Sequence, residues 1–260
     1  MNRLRTNSIS ALFRLLRSRE SREAVPRLDI ALVRPDPNVV RVYYMAVKAL
    51  ARGSSDRPGL PLELVIHICR LAGFEVQQVS RPPEGIKEVR AWGPMISSRF
   101  WFQTEQFTKE TLSRARSIQI VTMSHHQGPV DDRHAGSWSW FEIRVARPIE
   151  QDQSQLTFEV KRRLDGAEVS QRSHSHPIDE ETAEQQRDFA EHRGLVFGPG
   201  DQLWDEIEEG DVLQVVMKAQ FSGWTNVASD GILKINTWWE PSSEMLELIY
   251  TAEPTPSNSH

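Results

Sequence analysis

Only one cysteine, Cys69, occurs among the 260 residues. A lone thiol excludes an internal disulfide framework and a four-thiolate zinc site, and it fits a reducing compartment. Long apolar runs are also missing. No stretch of about 18 apolar residues occurs, so no transmembrane helix is expected. The early run Ala11-Leu-Phe is broken at once by Arg14 and Arg17, which does not suit a secretory signal. Cations are not in excess either: 31 Lys and Arg stand against 36 Asp and Glu, a formal net charge of −5. Nucleic acid, whose backbone demands clustered Lys and Arg, is therefore not an expected partner. The expected setting is intracellular, cytoplasmic or nuclear.

The chemistry-bearing templates are absent as well. There is no Gly-x-Ser-x-Gly elbow, no Gly-x-x-x-x-Gly-Lys-Ser/Thr phosphate cradle and no dinucleotide Gly-x-Gly-x-x-Gly. Gly198-Pro-Gly200 reads as a turn, since proline removes a backbone donor. His125, His126, His134, His174 and His176 follow no metal-ligand spacing, so they read as solvated loop histidines and no metal or cofactor is assigned. Glu206, Glu208, Glu209 and Asp211 read as a solvated acidic turn before a strand. No catalytic residue emerges, and the expectation is a protein that binds.

What is present is strand periodicity. In Asp211–Phe221, Leu213, Val215, Met217, Ala219 and Phe221 fall on one face and Gln214, Lys218 and Gln220 on the other, the period of a half-buried strand. Ser139–Val145 alternates alike, with Phe141, Ile143 and Val145 on one side and Trp140, Glu142 and Arg144 on the other. Leu156–Val160 repeats the alternation, and Ile118–Ile120 and Ile232–Ile235 are shorter β-branched runs. Five strands are visible, with two or three more expected. Trp92, Phe100, Trp101, Phe102 and Phe107 are dense but aperiodic, as in a core or over a sheet edge.

The front end is helical. Residues 1–27 hold seven Arg against two Glu, with Ile9, Leu12, Phe13 and Leu16 at helical spacing. Three readings stay open there: a solvated tail, a mitochondrial presequence, and a membrane-surface or nucleic-acid arm. Asp36-Pro37 opens a helix whose stripe is Val39, Tyr43, Ala46, Val47 and Leu50, closed by Gly53. After the turn Ser54–Gly59, Leu60-Pro-Leu-Glu-Leu-Val-Ile-His-Ile68 opens a second helix. Its expected buried side is Leu64, Val65, Ile68, Leu71 and Ala72. This run resembles the start of an F-box, with Leu60, Pro61, Glu63, Leu64 and Ile68 at the motif positions. The resemblance implies docking of those residues on the small adaptor of a cullin–RING ubiquitin ligase while a C-terminal domain holds substrate. The segment after Phe74 departs from the pattern, because Arg81-Pro-Pro-Glu-Gly85 cannot continue a helix. The plainer reading is a capped amphipathic helix packed on the β module.

Ser124-His-His-Gln-Gly128, then Gly136-Ser-Trp-Ser-Trp-Phe-Glu142, then Glu208-Glu-Gly-Asp211 and Phe221-Ser-Gly-Trp-Thr-Asn226 occur in that order. Together they resemble a β domain recurrent in fungal proteins, over about half the chain. Strand pattern and aromatic turns are also similar to the galactose-binding-like jelly rolls, including the substrate-binding domains of F-box proteins that recognise glycans. The resemblance implies a mainly β fold, a jelly-roll or galactose-binding-like β-sandwich with an α-helical N-terminal region. A protein or glycan ligand would then meet Trp138 and Trp224 by stacking and Asn226 and Gln127 by hydrogen bonds, with Asp131 and Asp230 as further hydrogen-bonding groups. The other reading of Trp138, Trp140, Trp224, Trp238 and Trp239 is that they bridge two sheets.

The expected organisation is a basic segment at 1–34, a helical region at 35–80 with the F-box-like run at 60–72, and a β module at 81–250. Within the module, 165–193 reads as a charged excursion that buries little, with a surface helix over Asp179–His192. Ser242 caps a last helix in which Met245, Leu246 and Ile249 share a face, and 251–260 reads as a tail.

Overall fold

The structure, a computed structural model, describes residues 25–33, 36–127, 136–149, 157–178 and 188–251. The basic run at 1–24, Asp131, His134, Leu156 and the final tail lie outside the described residues. In chain order the elements are α1 (Ile30–Val33), α2 (Asn38–Arg52), β1 (Gly53–Ser54), β2 (Arg57–Pro58), α3 (Leu62–Leu71), β3 (Glu75–Ser80), β4 (Lys87–Arg90) and β5 (Ser97–Gln103). There follow α4 (Lys109–Ser113), β6 (Ala115–His126), β7 (Ser139–Ile149), β8 (Thr157–Val160), β9 (Ser170–Ser175), β10 (Ala190–Phe197), α5 (Gln202–Asp205), β11 (Val212–Ala219), β12 (Thr225–Trp238) and α6 (Ser243–Thr251).

The chain is mainly β. One antiparallel sheet has the order β10-β6-β12-β3, with β4 also on β12; the other runs β5-β11-β7-β8, with β9 also on β7. The alternating residues explain why the two meet. Leu213, Val215, Met217 and Ala219 join Phe141, Ile143 and Val145 from the second sheet and Ile118, Ile120, Leu233 and Ile235 from the first in one apolar core. Each such side chain removed from water contributes roughly 1.5–3 kcal/mol before entropy is charged against it. Trp101 and Phe102 enter the same core, whereas Trp92 and Phe100 stay exposed.

Helices α2, α3 and α6 cluster at the end of the first sheet, around Val47, Ala51, Val65, Cys69, Ile249 and Trp239. Asp36 Oδ1 accepts the Asn38 amide at 2.8 Å and Gly53 N–H closes α2 on Ala49 O, so the expected caps form. Ser242 Oγ likewise accepts the Met245 amide at 3.3 Å. The buried side expected for α3 is corrected. Val65 and Cys69 face the cluster, while Leu64, Ile68 and Leu71 are 52%, 39% and 76% exposed and Ala72 is exposed too. Positions 65 and 69 are one turn apart and touch α2, which leaves the i, i+4, i+7 row of 64, 68 and 71 on the other side.

The reading of 165–193 as an excursion that buries little is corrected where β9 and the start of β10 lie in it, while 179–187, most of the surface helix expected over Asp179–His192, lie outside the described residues. Both strands are held by ladders on β7 and β6. The acidic turn is not merely solvated. Asp211 is fully buried and takes Arg147 Nε at 2.9 Å, Glu208 is bound by Lys161 Nζ at 2.8 Å, and Glu206 takes Arg163 at 3.1 Å. These pairs fasten the start of β11 to β7 and the segment after β8.

Candidate functional site

The space between the two sheets changes character along its length. Inner positions of β6 read Ile118 and Ile120 at one end, then Thr122, Ser124 and His126 toward the other. Facing them from the second sheet are Ser139 on β7, Ser173 and His174 on β9, and His176 just beyond it. His176 is buried with Nδ1 at 2.8 Å from Ser139 Oγ and Nε2 at 3.1 Å from Ser124 Oγ. Ser124 Oγ continues to Thr122 Oγ1 at 2.8 Å, and Thr122 to His174 Nε2 at 3.2 Å. His192 Nε2–H donates to Ser124 O at 3.1 Å, which fixes its tautomer. Phe141 stacks on the His174 ring at 4.9 Å between centroids.

His174 and His176 are therefore links between the sheets and His126 is buried beside them, which corrects the reading of these three as solvated loop residues. Removing a charge from water disfavours the protonated form. Burial lowers His126 to about 4, helped by His125 and His192, and His174 to about 3, helped by His192. His176 falls well below its ordinary value for the same first reason. Neutral imidazoles and hydroxyls satisfy one another here without an acid. Among the described residues no group of three or more His, Cys, Asp and Glu side chains is placed to hold a metal.

Beyond this polar interior, three turns meet at one end of the module. Ala91 N–H donates to Trp224 O at 2.9 Å, Gln220 Nε2 donates to Pro94 O at 3.1 Å, and Gln220 N–H donates to Trp138 O at 2.9 Å. All four residues assigned to ligand contact gather there. Trp138 is half-buried with its ring edge-on to Phe221 at 4.6 Å, and Trp224 is half-buried against the core. Gln127 Oε1 accepts the Thr225 amide at 3.3 Å. Asn226 is fully buried: its Nδ2 donates to Trp140 O at 2.8 Å across the sheets, and its Oδ1 has no hydrogen-bond partner among the described residues. Phe221 has φ 66°, a left-handed value that costs a bulky residue energy and that collects at functional turns.

Trp92, read from the sequence as filling a core or covering a sheet edge, is instead 78% exposed beside that end, and Met95, which sequence reasoning missed, is 79% exposed. Their signal was the Gly93-Pro94 turn, which lifts both side chains off the sheets. Arg90 lies over the Trp92 ring at 4.7 Å. Of the remaining tryptophans, Trp140 is covered on the outer face by Arg172 at 4.2 Å, Trp238 lies under Arg116, and Trp239 belongs to the helical cluster. Among these, none spans the two sheets; Trp101 does.

Asp230 serves a structural purpose. It sits on the outer face of β12, where it accepts Leu28 N–H at 3.0 Å and Arg81 Nε at 3.1 Å. That anchors the segment 25–33, whose Leu28 packs with Val121 and Ile232. The partner-assigned residues lie apart from the aromatic end: Pro61, Glu63, Leu64 and Ile68 are exposed on or before α3, and Leu60 is half-buried against the helical cluster. Compared with known proteins, the chain matches no family model and no curated protein. No helix among the described residues is long and apolar enough to cross a membrane.

Proposed function

We propose that this chain is a non-catalytic receptor: a jelly-roll-like β-sandwich that holds a ligand, joined to a helical layer that docks on a ubiquitin-ligase adaptor in the F-box manner. The observation that carries this reading is the exposed row Leu64, Ile68 and Leu71 on a helix held from behind by Val65 and Cys69. Apolar side chains in an i, i+4, i+7 row on an anchored helix suit a helix-in-groove partner, and Pro61 and Glu63 stand exposed at the start of the same element. The architecture is inferred from two antiparallel sheets of five strands that share one core.

The test is affinity capture from cells with the full chain and with Leu64→Glu/Ile68→Glu, read by mass spectrometry. Recovery of the adaptor and cullin by the native chain, lost in the variant, supports the reading; equal recovery by both, or no adaptor with either, rejects it.

A second reading is a carbohydrate- or small-ligand-binding module without a ligase link. Its support is the gathering of Trp138, Phe221, Trp224 and exposed Trp92 at one loop end, since aromatic faces beside amides are what a sugar ring stacks on. Glycan-array binding that is lost on Trp138→Ala and Trp92→Ala, with no adaptor captured, would favour it.

A further inference from the structure

A second opening lies away from the aromatic end, on the side of the module where edge strands β3 and β5 run. It is a cleft of about 460 Å³ between β3, the inner face of β12 at Ile235, and the segment that leaves β5 and enters α4. Inner-face positions of a two-sheet core are ordinarily apolar. Gln78 and Ser80 pair with Ile235 and Leu233 and therefore share their inward side, yet both are polar, Gln78 exposed and Ser80 half-buried. Gln106, Thr108 and Thr111 complete a wall of amides and hydroxyls around a small apolar floor.

Two features define what fits. The first is a free strand edge. β3 pairs with β12 on one side, and among the described residues no strand pairs with its other side. Val79 directs its side chain to the outer-face cluster around Leu28, but it also borders the cleft. The cleft therefore runs along the strand's edge. The second is charge: Glu105 is the one charged residue in the lining, it is exposed, and it has no ion-pair partner among the described residues. A flat sugar ring finds no stacking surface there, because Phe107 is buried.

We infer that this cleft binds an extended peptide, added as a strand to the free edge of β3 and carrying a Lys or Arg side chain that enters beside Glu105. Main-chain hydrogen bonds to an edge strand give such a complex its affinity, and a pocket for alternate side chains gives it specificity. A carboxylate at the pocket's rim favours a cation and repels an acidic residue. The inference rests on the receptor reading and supplies the class of ligand that the receptor would hold.

The experiment uses the full chain against arrayed nonamer peptides, random except for a central Lys, Arg, Glu or Ala. Lys and Arg pools should bind about tenfold more tightly than Glu pools, the equivalent of 1.4 kcal/mol. In Glu105→Lys, an exposed loop substitution whose folding is checked by circular dichroism, the order should invert. Amide exchange should slow at residues 77–80 when a Lys pool is bound. No binding by any pool, an unchanged preference in Glu105→Lys, or binding without protection of β3 overturns the inference. Glycan binding lost in Glu105→Lys, with no peptide bound, overturns it in favour of a sugar site. Adaptor capture that survives while peptides fail rejects this inference alone; peptide binding without adaptor capture rejects the ligase link alone.

Discussion

The indole of Trp101, on β5, lies directly over the Cα of Gly231, on β12, so that a Cβ built at 231 would stand 2.4 Å from Trp101 Cη2. The two residues belong to different sheets. Their contact sets how closely the sheets approach. Gly231→Ala must push the indole aside or part the sheets, and overpacking of a filled core costs about 1–3 kcal/mol. The denaturant midpoint of Gly231→Ala should fall by that amount with an unchanged slope, and Trp101→Leu in the same background should recover part of it. A Gly231→Ala protein as stable as the native chain would mean that the sheets are not held at this spacing.

Helix α3 gives a sharper contrast. Val65 and Leu64 are adjacent in sequence, but only Val65 is buried. Val65→Ala should cost about 2 kcal/mol, the transfer of the lost methyls plus the cavity they leave. Leu64→Ala should stay within about 0.5 kcal/mol, as surface changes do. Urea titrations of both variants decide this, and a reversed order would place the row of Leu64, Ile68 and Leu71 in the interior.

How much of this was legible in the sequence depends on what fills each inner position. β11 could be read because Leu213, Val215 and Met217 are filled by apolar packing, and the alternation is the packing. β9, with the sequence Ser-Gln-Arg-Ser-His-Ser, could not be read in this way. Its inward residues are hydroxyl and imidazole: His174 bonds Thr122 of the other sheet and Ser173 bonds His174 beside it, a partnership that has no apolar periodicity. β10 was hidden by an irregular register between Arg193 and Val196, where Gly194 lies so close to Ser173 that a Cβ would meet its Oγ at 1.9 Å. The α3 run carries apolar residues on two sides, so periodicity alone did not choose between the row that packs and the row that stays free. That Trp138, Trp224, Asn226 and Gln127 lie at one end was legible because Gly and aromatic residues mark the turns that gather them, but the burial of Asn226 depends on β7 and β11, which lie far away in sequence.

Asp230 supplies a local test. Burial acts to raise its pKa, but the Arg81 guanidinium and the amides of Leu28 and Gly231 outweigh it and hold the carboxyl below the ordinary carboxylate range. Asp230→Ala removes the acceptor shared by β12, Arg81 and the segment 25–33, leaving the Leu28 amide without its bond. The loss should be about 1–3 kcal/mol, concentrated at one place. Trypsin cleavage after Arg27 should accelerate at least tenfold while the core remains folded. Unchanged cleavage would show that the packing of Leu28 and the bonds from Ser229 to Pro26 O and from Gln77 to Leu32 O fix the segment without Asp230.

The interior histidines make stability depend on pH in a defined direction. His126, His174 and His176 have folded pKa values below the ordinary histidine value, His126 at about 4 and His174 at about 3. Below about pH 6.5 the unfolded chain binds protons that the folded chain does not, so stability rises with pH through this window and is lost as pH falls. Each such imidazole removes up to roughly 1.4 kcal/mol per pH unit between its unfolded and folded values. Full stability should therefore be present above pH 7, with a steep decline from about pH 6 toward pH 4 that exceeds the slope a single histidine can give. His174→Phe keeps a ring against Phe141 and leaves Thr122 its bond to Ser124. In urea titrations at pH 7.5, 6 and 5 it should be less acid-sensitive than the native chain by about one proton. Identical slopes for the two proteins would mean that His174 takes up its proton without opening the sheets.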